Sequence, residues 1–120
     1  MTRRDIRAFL FDIVEACDLI AAFISEKAFP DYLADAMLRS AVERQAIIIG
    51  EAMAQIARSW PERLQDFPQR SAIVGFRNHV VHGYFGIDHT QVRDIATVHV
   101  PPFRHAVASM LDQLGTEEQG

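Results

Sequence analysis

Apolar residues along the chain fall in runs with three-and-four spacing. Ile6, Phe9, Leu10, Ile13, Ala16, Cys17, Ile20, Phe23 and Ile24 form the first run, the signature of a helix with one buried stripe. It predicts a helix from about residue 3 to about residue 25, capped by Thr2, with the Asp5 carboxylate near the exposed amides of the first turn. After a short connection from Ser25 to Pro30, Leu33, Met37, Ala41, Ile48, Ala52 and Ile56 mark a second, longer helix that ends near Ser59, before Pro61. Its span would be about 40 Å at a rise of 1.5 Å per residue. Two long helices joined by a short connector pack antiparallel.

The segment Trp60 to Phe67 mixes proline, charges and isolated apolar residues, and reads as a connection with at most a short helical turn. Pro68 suits the first turn of a third helix, which carries Ile73, Val74, Phe76, Val80 and Val81 and meets Gly83 as a stop. A short helix starts at Asp88, an N-cap with Gln91 three residues on. Pro101-Pro102 is expected to break the chain and open a last helix, with Phe103, Ala106, Val107, Met110, Leu111 and Leu114 on one face before Gly115. No segment sustains period-two alternation, and no repeat is visible. The fold class expected is all-α: an up-and-down helical bundle of four main helices plus a short one over residues 1–115, with a polar tail at 116–120.

Composition narrows the class. A chain of 120 residues with 49% hydrophobic content builds one core, and no apolar stretch reaches the roughly 18 residues of a membrane span. The N-terminus lacks the apolar block of a signal peptide, so a cytoplasmic location is expected. The single Cys17 has no intrachain partner and reads as core packing. A net charge of −4 excludes nucleic-acid binding through a broad cationic surface, so any RNA contact must be local. Lys27 is the one lysine among twelve basic residues, and the arginine fork suits bidentate phosphate contacts.

The candidate chemistry lies in Gly75-Phe76-Arg77-Asn78-His79-Val80-Val81-His82-Gly83-Tyr84, where polar side chains interrupt a helix that would otherwise be core, a costly arrangement without partners. Asn78 and His82 are four apart and share a face. Arg77 and His82 are five apart, about 140° around an ideal helix. One helix would not aim both at a small target, whereas two copies related by a two-fold axis bring both pairs into one cleft, which predicts a homodimeric site. His82, in the last turn, would have its protonated form favoured by the helix dipole and stand ready as a general acid or base.

Plainer roles are open for each residue: Arg77 paired with Glu51 or Asp12, Asn78 as a surface amide, His82 as a helix cap, Tyr84 as packing. Glu51 lies seven residues after Arg44 on one helix face, and the two are expected to be buried partners bracing the motif helix. All five histidines lie between His79 and His105, yet no acidic or Cys ligand is at helical spacing from both His79 and His82, so no metal is expected.

Arg77-Asn78, three residues, His82, then Gly83 and Tyr84 resemble the RNxxxH signature of HEPN ribonucleases in the extended RxxxxHxY form of HepT toxins. The likeness continues through Tyr84-Phe85-Gly86-Ile87-Asp88 and back to Ile47-Ile48-Ile49-Gly50-Glu51-Ala52, which looks like the family's IIGEA segment. The resemblance implies a helical bundle that dimerises, sets two motifs at the interface and cuts RNA with neither metal nor other cofactor. Carried over, Arg77 stabilises charge on the phosphorane, His82 moves protons as the ribose 2′-hydroxyl attacks, and Asn78 orients the phosphate or His82. Tyr84 matches the tyrosine that a nucleotidyltransferase antitoxin of MNT type adenylylates with ATP, a bulky anionic block on RNA entry. The resemblance also allows a non-catalytic HEPN partner that binds, or is modified by, the nucleotidyltransferase.

Overall fold

The computed structural model describes residues 5–82 and 86–119. Its regular elements are all helical: α1 (Ile6–Ile24), α2 (Phe29–Ala34), α3 (Ala36–Ser59), a 3₁₀ turn (Pro61–Asp66), α4 (Arg70–Val81), α5 (His89–Asp94), a π turn (Ile95–His99) and α6 (Val100–Gln119). The all-α class therefore stands, with one short helix more than the apolar spacing predicted. No helix among the described residues is long and apolar enough to cross a membrane.

The cap of α1 is Asp5, not Thr2, which lies outside the described residues. Asp5 is extended (φ −67°, ψ 141°), and its carboxylate accepts from the Arg7 amide at 2.9 Å and meets the Arg7 guanidinium at 2.8 Å. Those hydrogen bonds hold its carboxyl down at about 2. A helix cannot begin before a residue whose backbone is extended, so α1 starts at Ile6.

The long second helix of the sequence reading is two helices. Asp35 is extended (φ −109°, ψ 97°), and its carboxylate accepts from the Leu38 amide at 3.0 Å. A short acid that bonds the backbone ahead of it competes with the helix it interrupts. Leu33 consequently belongs to α2, and α3, at 24 residues, is about 36 Å long.

Helix α3 is the central strut: α1 and α4 pack on it, and α6 packs on α1. Leu10, Ile13 and Ile20 of α1, Val42, Ile49 and Ile56 of α3, Ile73 and Phe76 of α4, and Phe103 and Val107 of α6 are fully buried, each burial contributing about 1.5–3 kcal/mol. Cys17 sits among them, and burial pushes its thiol up to about 12. It packs as a small apolar residue.

Three further boundaries differ from expectation. Pro68 precedes α4, which starts at Arg70 after Gln69 in the left-handed region (φ 63°). The Gln69 side chain is held there by Nδ1 of His99. Pro101 and Pro102 do not break the chain, because the π turn before them moves the Val100 amide onto the Ile95 carbonyl and loosens the turn that proline rings would otherwise crowd. Gly115 lies inside α6, whose backbone continues to Gln119. A glycine inside a helix costs about 1 kcal/mol relative to alanine, less than is needed to end it. By contrast Asp88 caps α5 as expected, accepting from the Thr90 and Gln91 amides at 3.0 and 3.3 Å.

Candidate active site

Ile73 and Phe76, three apart, bury one edge of α4 against the core, and this places the next residue, Arg77, over α3. It arrives at Gly50. A Cβ built on Gly50 would lie 2.1 Å from Cγ and 2.4 Å from Cβ of Arg77, so the arginine stem occupies the space that any other residue at position 50 would fill. The stem packs on α3 while the guanidinium reaches outward, the usual division of an amphipathic side chain.

One hydrogen bond aims that guanidinium. Its Nη1 donates to Oδ1 of Asn78 at 3.1 Å, and its Nε is buried with no hydrogen-bond partner among the described residues. A buried donor left unpaired costs about 1–3 kcal/mol, a cost that the fold meets in seating this side chain. Among the described residues the hydrogen-bond partner of the Arg77 guanidinium is Asn78. Asn78 is exposed, as a surface amide would be, but its oxygen is used by Arg77.

His82 lies one residue beyond the end of α4. As the C-cap it has φ −104° and ψ 14°, its amide donates to the Asn78 carbonyl at 2.9 Å, and the residue is exposed. Its amide closes the last turn of α4, so the residue still follows the helix path up to its Cα. Gly83 and Tyr84 lie outside the described residues.

His79 has a task that sequence reasoning missed. Its Nε2 accepts from the Asp88 amide at 2.8 Å, bridging the two ends of the connection from α4 to α5. The acceptor role leaves the ring proton on Nδ1. The available signal was positional: a histidine in the last turn of one helix and the N-cap of the next bracket a short connection.

The expected buried pairing of Arg44 with Glu51 is not present. Both residues are exposed, and among the described residues no ion pair joins them. The buried stripe of α3 runs through Val42, Ala46, Ile49, Met53 and Ile56. Arg44 and Glu51 each stand two positions past a member of it, about 200° around the helix.

Two grooves meet at Arg77. One, a cavity of about 790 Å³ between α1 and α3, is lined by Asp12, Glu51 and Arg58 among others. The second, of about 620 Å³ between α3 and α4, is lined by Gly50, Ala54, Ala57, Ser71 and Gly75, with Arg70 at its far end. Among the described residues no group of three His, Cys, Asp or Glu side chains is placed to hold a metal ion.

The chain matches the model of the family described as "HepT-like: Ribonuclease HepT-like" over residues 13–110. It is 35% identical to "Putative RNase MJ1380" of Methanocaldococcus jannaschii over 107 residues, covering 89% of this chain and 97% of that protein. "Probable ribonuclease HepT" of Thermococcus cleftensis is 36% identical over 86 residues, 72% of this chain and 77% of that one. A second M. jannaschii protein, "Putative RNase MJ1216", is 28% identical across 99% of this chain and 98% of its own length. No solved structure matches the chain significantly. An all-helical chain that carries Arg77, Asn78 and His82 on and just beyond one helix, and matches that family along most of its length, belongs to the HepT-like ribonucleases of the HEPN superfamily.

Proposed function

We propose that the chain is a metal-independent endoribonuclease that acts as a homodimer of up-and-down bundles, with two copies of the Arg77, Asn78 and His82 motif in a shared cleft. The observation that carries this reading is the seating of Arg77: stem in the gap at Gly50, Nη1 on Asn78, Nε buried and unpaired among the described residues. A preorganised cation of this kind is worth most when negative charge builds up beside it. In the proposed reaction the ribose 2′-hydroxyl attacks the adjacent phosphorus and the bond to the 5′-oxygen breaks, leaving a 2′,3′-cyclic phosphate and a 5′-hydroxyl. A base removes the 2′ proton, an acid protonates the leaving oxygen, and His82 supplies one of these roles. Arg77 neutralises the phosphorane and Asn78 keeps the guanidinium aimed.

Control belongs to a nucleotidyltransferase antitoxin of MNT type that uses ATP to adenylylate Tyr84 in the cytoplasm, placing phosphate where RNA must enter. The names of the relatives support the nuclease part of this reading and are silent on control. The exposed, helix-capping position of His82 favours a second reading, in which the same bundle is a non-catalytic partner of the nucleotidyltransferase.

Cleavage of a labelled RNA in EDTA by the parent, Arg77→Ala and His82→Ala proteins separates the two. The enzyme reading expects rates to fall by about 10²–10⁴-fold in both variants, with light scattering and circular dichroism unchanged. Equal rates in all three would refute the assignment.

A further inference from the structure

Arg77 borders two grooves, and their charges differ. The groove on the α1 side carries the carboxylates of Asp12 and Glu51 beside Arg58. The groove on the α4 side has Arg70 and Arg77 and no acidic residue in its lining, in a chain where acidic residues outnumber basic ones by 16 to 12. Arg70 and Arg77 are seven residues apart on α4, so they point from one face, about 10.5 Å apart along the axis. Among the described residues Arg70 is exposed with neither ion pair nor hydrogen bond from its side chain.

Between the two arginines the groove is apolar, with Met53 and Leu64 in its lining and Val74 39% exposed beside them. Gly75 opens it. A Cβ on Gly75 would meet nothing within 4 Å, and this helical glycine has no positive φ, so neither close packing nor backbone geometry calls for glycine here. What the glycine does supply is open space in the groove wall.

We infer that this groove is the substrate-strand subsite: it takes one unpaired base of a single-stranded RNA against its apolar wall, with Arg70 on a neighbouring phosphate and Arg77 on the phosphate that is cut. The inference rests on the ribonuclease reading above. An apolar slot flanked by cations matches the alternation of base and phosphate along a single strand, and bases in a duplex are not splayed out to enter such a slot. In the groove on the other side of Arg77 the carboxylates of Asp12 and Glu51 offset the charge of Arg58 and Arg77, so the all-cationic side is the more favourable for the strand.

The test measures binding of a fluorescein-labelled single-stranded RNA decamer to His82→Ala protein across a salt series, then adds Arg70→Ala, Gly75→Leu or, as a charge-matched control in the other groove, Arg58→Ala. Loss of one phosphate contact lowers the slope of log affinity against log salt by about 0.7 and weakens binding about five-fold at 0.1 M salt. That result is expected for Arg70→Ala. Gly75→Leu should weaken binding comparably with the salt slope unchanged, since it blocks the base and removes no charge, and Arg58→Ala should weaken binding by no more than about two-fold, the long-range effect of one exposed charge. A duplex of the same sequence should compete poorly. The inference is overturned if Arg58→Ala weakens binding and Arg70→Ala does not, or if Arg70→Ala or Gly75→Leu splits an oligomer by light scattering, which would make this face a subunit interface. A parent protein that cleaves RNA through Arg77 and His82 while Arg70→Ala is normal defeats the subsite alone; a parent that neither binds nor cleaves RNA defeats the ribonuclease reading as well.

Discussion

Gly50 and Gly75 line the same groove from opposite helices, and they are glycine for opposite reasons. At Gly50 a neighbour has taken the space: the stem of Arg77 lies where a Cβ would be. At Gly75 no atom lies within 4 Å of the same built position. The pair shows that a mid-helix glycine can serve either a contact or a gap, and that its surroundings decide which.

The largest effect is expected at the filled position. Gly50→Ala puts a methyl group against the root of Arg77, which has no rotamer to swing away at Cβ, so α4 must shift from α3. Overpacking of this kind costs about 1–3 kcal/mol, and displacing the aimed guanidinium should cut RNA cleavage by about 10²–10³-fold. Thermal denaturation and initial rates check both, and a fully active, undiminished Gly50→Ala protein would break the contrast. Smaller in size and opposite in sign, Gly75→Ala should stabilise the fold by about 1 kcal/mol, read as a higher midpoint in urea; a loss of stability would mean that the gap is needed for packing after all. The smallest effect is on the mixed-charge side of Arg77. Glu51→Gln removes one exposed carboxylate, and at a separation of about 8 Å in water that is worth about 0.5 kcal/mol, or about two-fold in RNA affinity, vanishing at high salt.

Much of the architecture could be read from periodicity, because it depends on many residues at once. The stripe from Ile6 to Ile24 is α1 and Asp88 caps α5, whereas only Ala52 and Ile56 of the stripe expected for the second helix, and Ile73 and Phe76 of that expected for α4, are buried, with Leu33, Met37 and Val74 exposed. What escaped were decisions made by one or two residues. Asp35 suits a helix interior or a cap, and only the local backbone selects the cap. Pro101-Pro102 breaks an ordinary helix, and the π turn that accommodates it leaves no mark in composition. At the candidate site, neighbours in sequence such as Arg77 and Asn78 were legible as a unit. The meeting of Gly50 with Arg77 was not, since it requires knowing where α4 crosses α3. The expected Arg44 and Glu51 pair failed because shared spacing fixes a common face without saying that the face is buried.

The π turn also sets a phase. Val92 before it, Ile95 and Ala96 within it and Phe103, Val107 and Met110 after it are all buried, across a stretch in which the chain makes one turn wider than the rest. Deleting a single residue between positions 95 and 99 would make the helix regular and rotate everything after it by about 100°. Phe103 would then leave the core, and the prolines would crowd the carbonyls behind them. The C-terminal helix is thus keyed to the rest of the molecule by one residue of slack, and chain length there is as tightly constrained as any side chain.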